Sequence, residues 1–199
     1  MSPTVVELNS ARLRLRMLRA SDVDALFALH SDPRVMRYWS TPAYTDVAQA
    51  QALFEKTDRG VRCGEFLYWA ITVRGRDQLI GGCTLFSINA THARAEIGYA
   101  LASDCWGRGY AQEALRAVLD HAFGVLRLHR IEADVDPRNA GSRRLLERLG
   151  FKHEGLLRER WRVAGEISDS AIYGLLADDY ATAAKASASS RGAGGETAR

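Results

Sequence analysis

The sequence predicts a single α/β domain, and three observations lead to it. Stretches with strand composition recur at residues 12–19, 65–73, 78–86, 95–101, 130–135, 151–165 and 166–178. Stretches with the three-to-four spacing of a buried helix face fall between them. At residues 94–126 a strand, a turn with two glycines and a helix follow one another without a break. The strands number about seven, and 199 residues are long enough for one well-buried core and short for two. The domain is expected to span residues 1–178, with residues 179–199 as a tail.

Residues 1–9 read as loosely held. Residues 12–19, Arg-Leu-Arg-Leu-Arg-Met-Leu-Arg, alternate charge with apolar side chains and read as a half-buried edge strand whose arginines form a solvated face. Ser21 is the expected cap of a helix with acidic residues in its first turn and Ala25, Leu26 and Leu29 as its buried stripe. Pro33 suits the first position of a second, short helix. Residues 36–44 hold Tyr38, Trp39, Pro42 and Tyr44 and read as a loop, equally able to line a cleft or to lid the core. Thr45 and Asp46 cap a helix to about Cys63, with Val47, Ala50, Leu53 and Phe54 apolar. Residues 65–73 are a dense aromatic and β-branched run, a central strand. Residues 74–77 turn a hairpin, and 78–86 return as its partner. Gly81-Gly82 within that partner signals a bulge or a close backbone approach.

After a turn at residues 89–92, Ala95, Ile97, Tyr99 and Leu101 alternate with Glu96, Gly98 and Ala100 as a strand. The turn Trp106-Gly107-Arg108-Gly109-Tyr110-Ala111 leads into a helix whose apolar face runs from Ala111 to Leu126. Residues 130–135 are a short strand. Residues 136–139, Asp-Pro-Arg-Asn, start a helix and leave its cap open. Leu145, Leu146 and Leu149 bury its face, and Gly150 suits a left-handed end with Phe151 packing behind it. A final strand pair turns around residues 163–165. From Asp178 the composition shifts to Ala, Ser, Gly and Thr, so the tail is expected to begin as a short helical extension and end disordered.

Composition excludes several classes. Apolar residues make up 47% and charged residues 26%, as in soluble globular proteins. The formal net charge of +3 is too small to imply a general polyanion binder. Cys63, Cys83 and Cys105 are widely spaced, so neither a disulfide framework nor a structural zinc site is expected. The five histidines show no ligand spacing, and no metal is expected. There is no signal-like start and no run of eighteen apolar residues, so a cytoplasmic protein without membrane partners is the default.

The strand–turn–helix at residues 94–126 makes an anion site. The first N–H groups of a helix have no intrahelical partner, and the dipole favours negative charge there. Gly107 and Gly109 let an anion approach the backbone, and Arg108 adds a forked cation. The plainer reading is an ordinary strand-to-helix connection whose glycines serve tight geometry. The loop is neither a P-loop nor a dinucleotide fingerprint.

Gly107-Arg108-Gly109-Tyr110-Ala111 resembles the pyrophosphate-binding loop of the GNAT acyltransferases, whose pattern is Gln/Arg-x-x-Gly-x-Gly/Ala. With residues 95–101 before it and residues 139–151 after it, the chain resembles the ribosomal-protein N-acetyltransferase (RimJ/RimL-like) branch over roughly residues 10–178. One departure is Trp106 at the first loop position. The resemblance implies a mixed central sheet with helices on both faces and acetyl-CoA as co-substrate. Its pyrophosphate would sit on residues 106–111, and its amide arm would lie against Tyr99, Ala100 and Leu101 as a pseudo-strand between diverging strands.

The same resemblance implies roles for other residues. Glu96 is the candidate base, against a structural carboxylate paired with an arginine. Ser142 is the candidate for thiolate stabilisation, with Asn139 contacting the acyl-CoA arm; capping is the alternative for both. Tyr173 is a rival acid, against a core tyrosine. Tyr38, Trp39 and Tyr68 are the acceptor-side candidates. Cys105 has no histidine partner in sequence, so direct attack in a ternary complex is expected rather than a covalent acetyl-cysteine. The implied acceptor is a protein N-terminal α-amine, with small amines or antibiotics as alternatives; a homodimer fits the resemblance, but no segment specifies one. Two rivals stand beside this reading: a non-catalytic acyl-CoA-binding module, and an arginine-based RNA binder, which would need its arginines on one surface. Direct nucleic-acid binding is not expected.

Overall fold

A computed structural model of the chain describes residues 5–183. One eight-stranded sheet is formed by β1 (Leu8–Asn9), β2 (Leu13–Arg16), β3 (Leu67–Val73), β4 (Leu79–Asn89), β5 (Arg94–Leu101), β6 (Arg130–Val135), β7 (Lys152–Val163) and β8 (Glu166–Leu176). The order is β1-β2-β3-β4-β5-β6-β8-β7, antiparallel throughout except for the parallel pair β5 and β6. Helices α1 (Val23–Ser31), α2 (Pro33–Met36) and α3 (Val47–Cys63) cover one face, and α4 (Tyr110–Gly124) and α5 (Ala140–Arg148) the other. This is the expected α/β mixed sheet with one strand more. Leu8 and Asn9, placed in a loose segment by sequence, pair with Leu15 and Arg14. Two residues are too short a run for period-two alternation to register. Residues 177–183 continue as a helix; the expected disordered end of the tail lies outside the described residues. No described helix is long and apolar enough to cross a membrane.

Strand alternation separates two cores. Leu67, Trp69 and Ile71 of β3 pack with Leu115, Val118 and Leu119 of α4, whereas Ala70 packs with Leu26 and Leu29 of α1. Each fully buried leucine contributes about 2 kcal/mol, so packing holds α4 in place. Between Ile71 and Thr72 the β3–β4 register slips, pairing Thr72 with Leu79 and Ile71 with Gly81. The slip changes phase: Leu79 joins the α1 side, while Cys83 and Leu85 join the α4 side. Both meanings of Gly81-Gly82 therefore hold. A Cβ on Gly81 would lie 2.3 Å from the Ala100 carbonyl oxygen, and one on Gly82 2.1 Å from the Tyr68 hydroxyl.

Local signals place most helix ends. Asp46 accepts from the Ala48 amide and forms a capping box with Gln49. Asp32 accepts from the Arg34 amide, with Pro33 at the first helical position. Asn139 caps α5 by accepting from the Ser142 amide, which settles the cap left open at residues 136–139. Gly150 has φ +96°, and the Phe151 amide donates to the Leu146 carbonyl. On α3 the expected stripe is only partly buried: Ala50 is covered, but Val47 is exposed, because α3 packs on α1 rather than across the sheet.

Two expectations near the N-terminus are corrected. Ser21 makes no cap; α1 begins from a 3-10 turn at Ala20–Asp22, and the Asp22 carboxylate accepts from the Arg19 amide at 2.8 Å. The β2 arginines are not all solvated. Arg14 is, but Arg16 is 3% exposed and faces Asp22, itself 4% exposed. Arg16 reaches both Asp22 oxygens at 2.8 and 2.9 Å, the Asp77 carboxylate at 2.8 Å, and the carbonyls of Met17 and Asp77. The 3-10 turn and the β3–β4 hairpin close over this guanidinium, so each of its N–H donors has a partner inside the protein.

Removing one partner of a buried ion pair strands the other. Asp22→Ala is expected to lower unfolding stability by about 3 kcal/mol, read by chemical denaturation. A loss no greater than that of a surface ion pair would show that Asp77 alone satisfies Arg16.

Candidate active site

β5 and β6 pair at Arg94/Arg130, Ala95/Ile131 and Glu96/Glu132 and then part. β5 continues against β4 as far as Leu101, and β6 against β8 as far as Val135. Their facing edges beyond these pairs are unpaired with each other, and a cavity of about 520 Å³ opens beside them. The loop after β5 forms one end, with Trp106, Gly107, Gly109, Tyr110 and Ala111. α2 and the loop after it form another side, with Arg34, Val35, Tyr38 and Trp39. α5 supplies the wall beneath the parting strands through Asn139, Gly141, Ser142, Leu145 and Arg148.

The loop is held in an anion-binding form. Gly107 and Gly109 have φ of +72° and +78°, a region where other residues are strained. Gly109 is the N-cap of the fifteen-residue α4 and contributes no side-chain cap. Among the described residues, the N–H groups from Gly107 to Gln112 find no acceptor. They are the donors that a helix start leaves for an anion. Trp106, the departure in the motif, ties the loop back: its indole N–H donates to the Leu101 carbonyl at 2.8 Å. Arg108 is exposed and its side chain is outside the cavity lining, while its carbonyl accepts from Arg12 Nη1 at 3.0 Å.

One hydrogen bond crosses from sheet to helix at the cavity: Tyr99 hydroxyl and Ser142 Oγ are 2.7 Å apart. Burial raises the Tyr99 phenol above its ordinary range, with the Ser142 bond working the other way, so the phenol stays protonated at neutral pH. A tyrosine that donates to Ser142 leaves the serine hydroxyl proton available to a group in the cavity. Asn139 Oδ1 is engaged by the Ser142 amide at 3.0 Å, so the capping alternative for Asn139 is realised. Its amide nitrogen has no partner among the described residues, and the residue lines the cavity.

Besides Arg108, three sequence candidates are not in the cavity lining. Glu96 is half-buried on β5, beside Glu132, and makes no hydrogen bond or ion pair among the described residues. The arginine pairing weighed for it falls instead to Glu132, which is held by Arg94 and Arg130. Tyr173 is fully buried; its hydroxyl donates to Glu147 and accepts from Arg143, both at 3.1 Å. Tyr68 packs into the α1-side core with its hydroxyl against Gly82, and burial raises its phenol. By contrast Tyr38 and Trp39 do line the cavity, as in the cleft reading of residues 36–44, while Trp39, Ala43 and Tyr44 also pack on the α1-side core, as in the lid reading. Arg37 and Arg138 flank the Tyr38 ring at 5.3 and 5.9 Å.

Sequence reasoning missed Arg34, Val35, Gln112, Gly141, Leu145 and Arg148 as lining residues. Helical spacing carried a signal: Ser142, Leu145 and Arg148 recur every three residues, so the face that shows Ser142 shows all three. Cys105, noted beside the loop, also lines the cavity; burial first and then Asp104 raise its thiol, which disfavours a reactive thiolate. Among the described residues, no group of three or more His, Cys, Asp or Glu side chains could hold a metal ion.

Comparison with known proteins sharpens this picture. The acetyltransferase (GNAT) domain family matches residues 12–152. The uncharacterized N-acetyltransferase p20 of Bacillus licheniformis is 38% identical over 174 residues, covering 87% of this chain and 98% of that protein. The crystal structure of spermidine N-acetyltransferase from Vibrio cholerae in complex with CoA and spermine matches with a TM-score of 0.76 at 27% identity, over 86% of this chain and 99% of that one. Mycobacterium smegmatis RimJ in complex with CoA-disulfide matches with a TM-score of 0.79 at 27% identity, over 94% and 95%.

Ser142→Ala strands a mostly buried tyrosine hydroxyl, and Tyr99→Phe strands the serine. An unsatisfied buried partner costs about 1–3 kcal/mol. The double variant is therefore expected to be less destabilised than the sum of the singles, read by denaturation in a double-mutant cycle. Strict additivity would mean that the two hydroxyls are not coupled.

Proposed function

The chain belongs to the GNAT acetyltransferase family and is an N-acetyltransferase; from this premise we propose that it carries an acetyl group from acetyl-CoA to a protein N-terminal α-amine, by direct attack in a ternary complex. The observation that carries the reading is the cavity beside the parting strands, with unpaired helix-start donors at one end and aromatic side chains at the other. The relatives solved with CoA or CoA-disulfide support the donor half of it.

The site residues then take the following parts. Pyrophosphate lies on the amides of Gly107, Arg108, Gly109, Tyr110 and Ala111, beside Trp106 and at the positive end of α4. The amide arm runs along Tyr99, Ala100 and Leu101, where the β5 edge facing β6 is unpaired. Asn139 flanks the arm. Ser142, backed by Tyr99, donates toward the sulfur as the thiolate leaves. Tyr173 is the weaker acid candidate because its hydroxyl is engaged by α5. Tyr38 and Trp39 hold the acceptor, and Tyr68 supports them from the core rather than by contact.

The attacking amine must be neutral and must lose a proton. An α-amine, with a pKa of about 8, is closer to neutral form at physiological pH than a lysine at about 10.4. Glu96 accepts the proton through water. It shares a strand face with Ala100, which lines the cavity, and Gly98 stands between them with no side chain in the way.

Among the described residues the cavity lining holds no carboxylate; Arg34 is paired with Asp32 behind it, and Arg148 contributes positive charge. A polyamine brings several positive charges and would find no partner for them there. That favours an acceptor with a single amine, despite the spermidine acetyltransferases among the relatives. A small monoamine is the second reading, supported by the compactness of the cavity.

Gly109→Val puts a branched side chain at positive φ, against the Arg12 guanidinium, so the loop must change its backbone path, and the variant is expected to abolish acetyl-CoA binding in calorimetric titration; unchanged affinity would remove the loop from the site. Glu96→Gln is expected to lower turnover about a hundredfold while sparing acetyl-CoA affinity, and a wild-type rate across neutral pH would exclude Glu96 as the base. In thiol-release assays, peptides with a free N-terminal amine are expected to outperform spermidine. Preference for spermidine would overturn the acceptor assignment.

A further inference from the structure

We propose that Arg12 is a positioning residue for the phosphate loop: by holding the Arg108 carbonyl it aims the Gly109 amide into the cavity, and Glu113 holds Arg12 in place. The inference rests on the acetyl-CoA reading above and assigns work to a residue outside the loop motif. Arg12 precedes β2, nearly a hundred positions away in the chain, and its guanidinium does not line the cavity. It donates from Nη1 to the Arg108 carbonyl at 3.0 Å and lies 4.7 Å over the Tyr110 ring. In a trans peptide the C=O and the following N–H point in opposite directions, and the chain has no cis peptide bond among its described residues. An Arg108 carbonyl turned toward Arg12 therefore turns the Gly109 N–H away from it, to the side where Gly107, Gly109 and Tyr110 line the cavity. Without that tether, a peptide that leads from Arg108 into a glycine of positive φ is free to flip.

Glu113 makes the tether rigid. It sits in the first turn of α4, and its carboxylate accepts from the Arg12 amide, Arg12 Nε and Ser10 Oγ, each at 2.7 Å. Burial alone would raise its pKa, but these bonds outweigh burial and hold it below the usual carboxylate range. A carboxylate in the first turn, beside a site for phosphates, is at odds with simple electrostatics: its charge repels the ligand. Holding Arg12 explains its presence.

That conflict gives a test with opposite signs. If Arg12 served only as a nearby cation, Glu113→Gln would tighten acetyl-CoA binding by removing a negative charge, and Arg12→Lys would largely preserve it. If Arg12 positions the loop, both variants weaken binding, about tenfold each by calorimetric titration, because a lysine cannot hold Glu113 and the Arg108 carbonyl with one fork. The second readout is donor choice. Acetyl-pantetheine has the thioester and amide arm but no pyrophosphate, so the variants are expected to use it as well as wild type does. Tighter or unchanged acetyl-CoA binding in Glu113→Gln overturns the inference, as does equal loss with both donors, which would mark general damage. Wild-type protein that binds no acetyl-CoA would fail the acetyl-CoA reading itself, a result distinguishable from either.

Discussion

The contact between β5 and β6 spans three residue pairs, and the rest of the site depends on its shortness. A longer parallel ladder would close the sheet and leave no cavity. No contact would separate the antiparallel set β1–β5 from the set β6–β8–β7. Each strand is held on its far side by a long antiparallel partner, so parting on the near side costs no further order. The twist between neighbouring strands widens the gap as they run on. α4 fills one side of the crossover, with Ala114, Leu115, Val118 and Leu119 fully buried, and its N-terminus is thereby delivered to the mouth of the gap.

The loop at that mouth combines adjustable backbone with fixed anchors. Two glycines at positive φ give the path its shape, but shape alone would be mobile. The Trp106 indole fastens the loop to the end of β5, and Arg12 fastens it to the strand region on the opposite side. The helix dipole and the open amides supply the field. None of these needs a charged side chain inside the cavity, which suits a ligand whose own charge must be met without crowding.

Much of this was legible in the sequence, for identifiable reasons. The strand–turn–helix at residues 94–126, the Asp46 cap, the Gly150 terminus and the final hairpin are local features, written in spacing and in the few residues that tolerate unusual backbone. What escaped was non-local. Arg16 reads as one of several solvated arginines until Asp22 and Asp77 close over it from other segments. Ser21 and Asp22 suit a cap equally by residue type, but Asp22 stands at the start of α1 without a side-chain cap bond, its carboxylate engaged by Arg16 and the Arg19 amide. Tyr99 and Ser142 were each singled out, but a strand residue and a helix residue forty-three positions apart give no sequence sign of meeting. Glu96 and Tyr173 were named from the family pattern; the fold places the first two pleats from the cavity and turns the hydroxyl of the second to α5.

The parted strands also bear on which strand edges the sheet leaves open. An unpaired strand edge on the outside of a sheet is a template for another chain. Here two edges face inward, beside the Tyr99–Ser142 crossing and the aromatic side chains of the cavity. Of the outward edges, β1 is two residues long, and the pairing of β7 with β8 shifts register between Leu157 and Trp161, where Arg158, Glu159 and Arg160 lie. The open backbone of β5 and β6 thus lies in the middle of the sheet rather than at its rim.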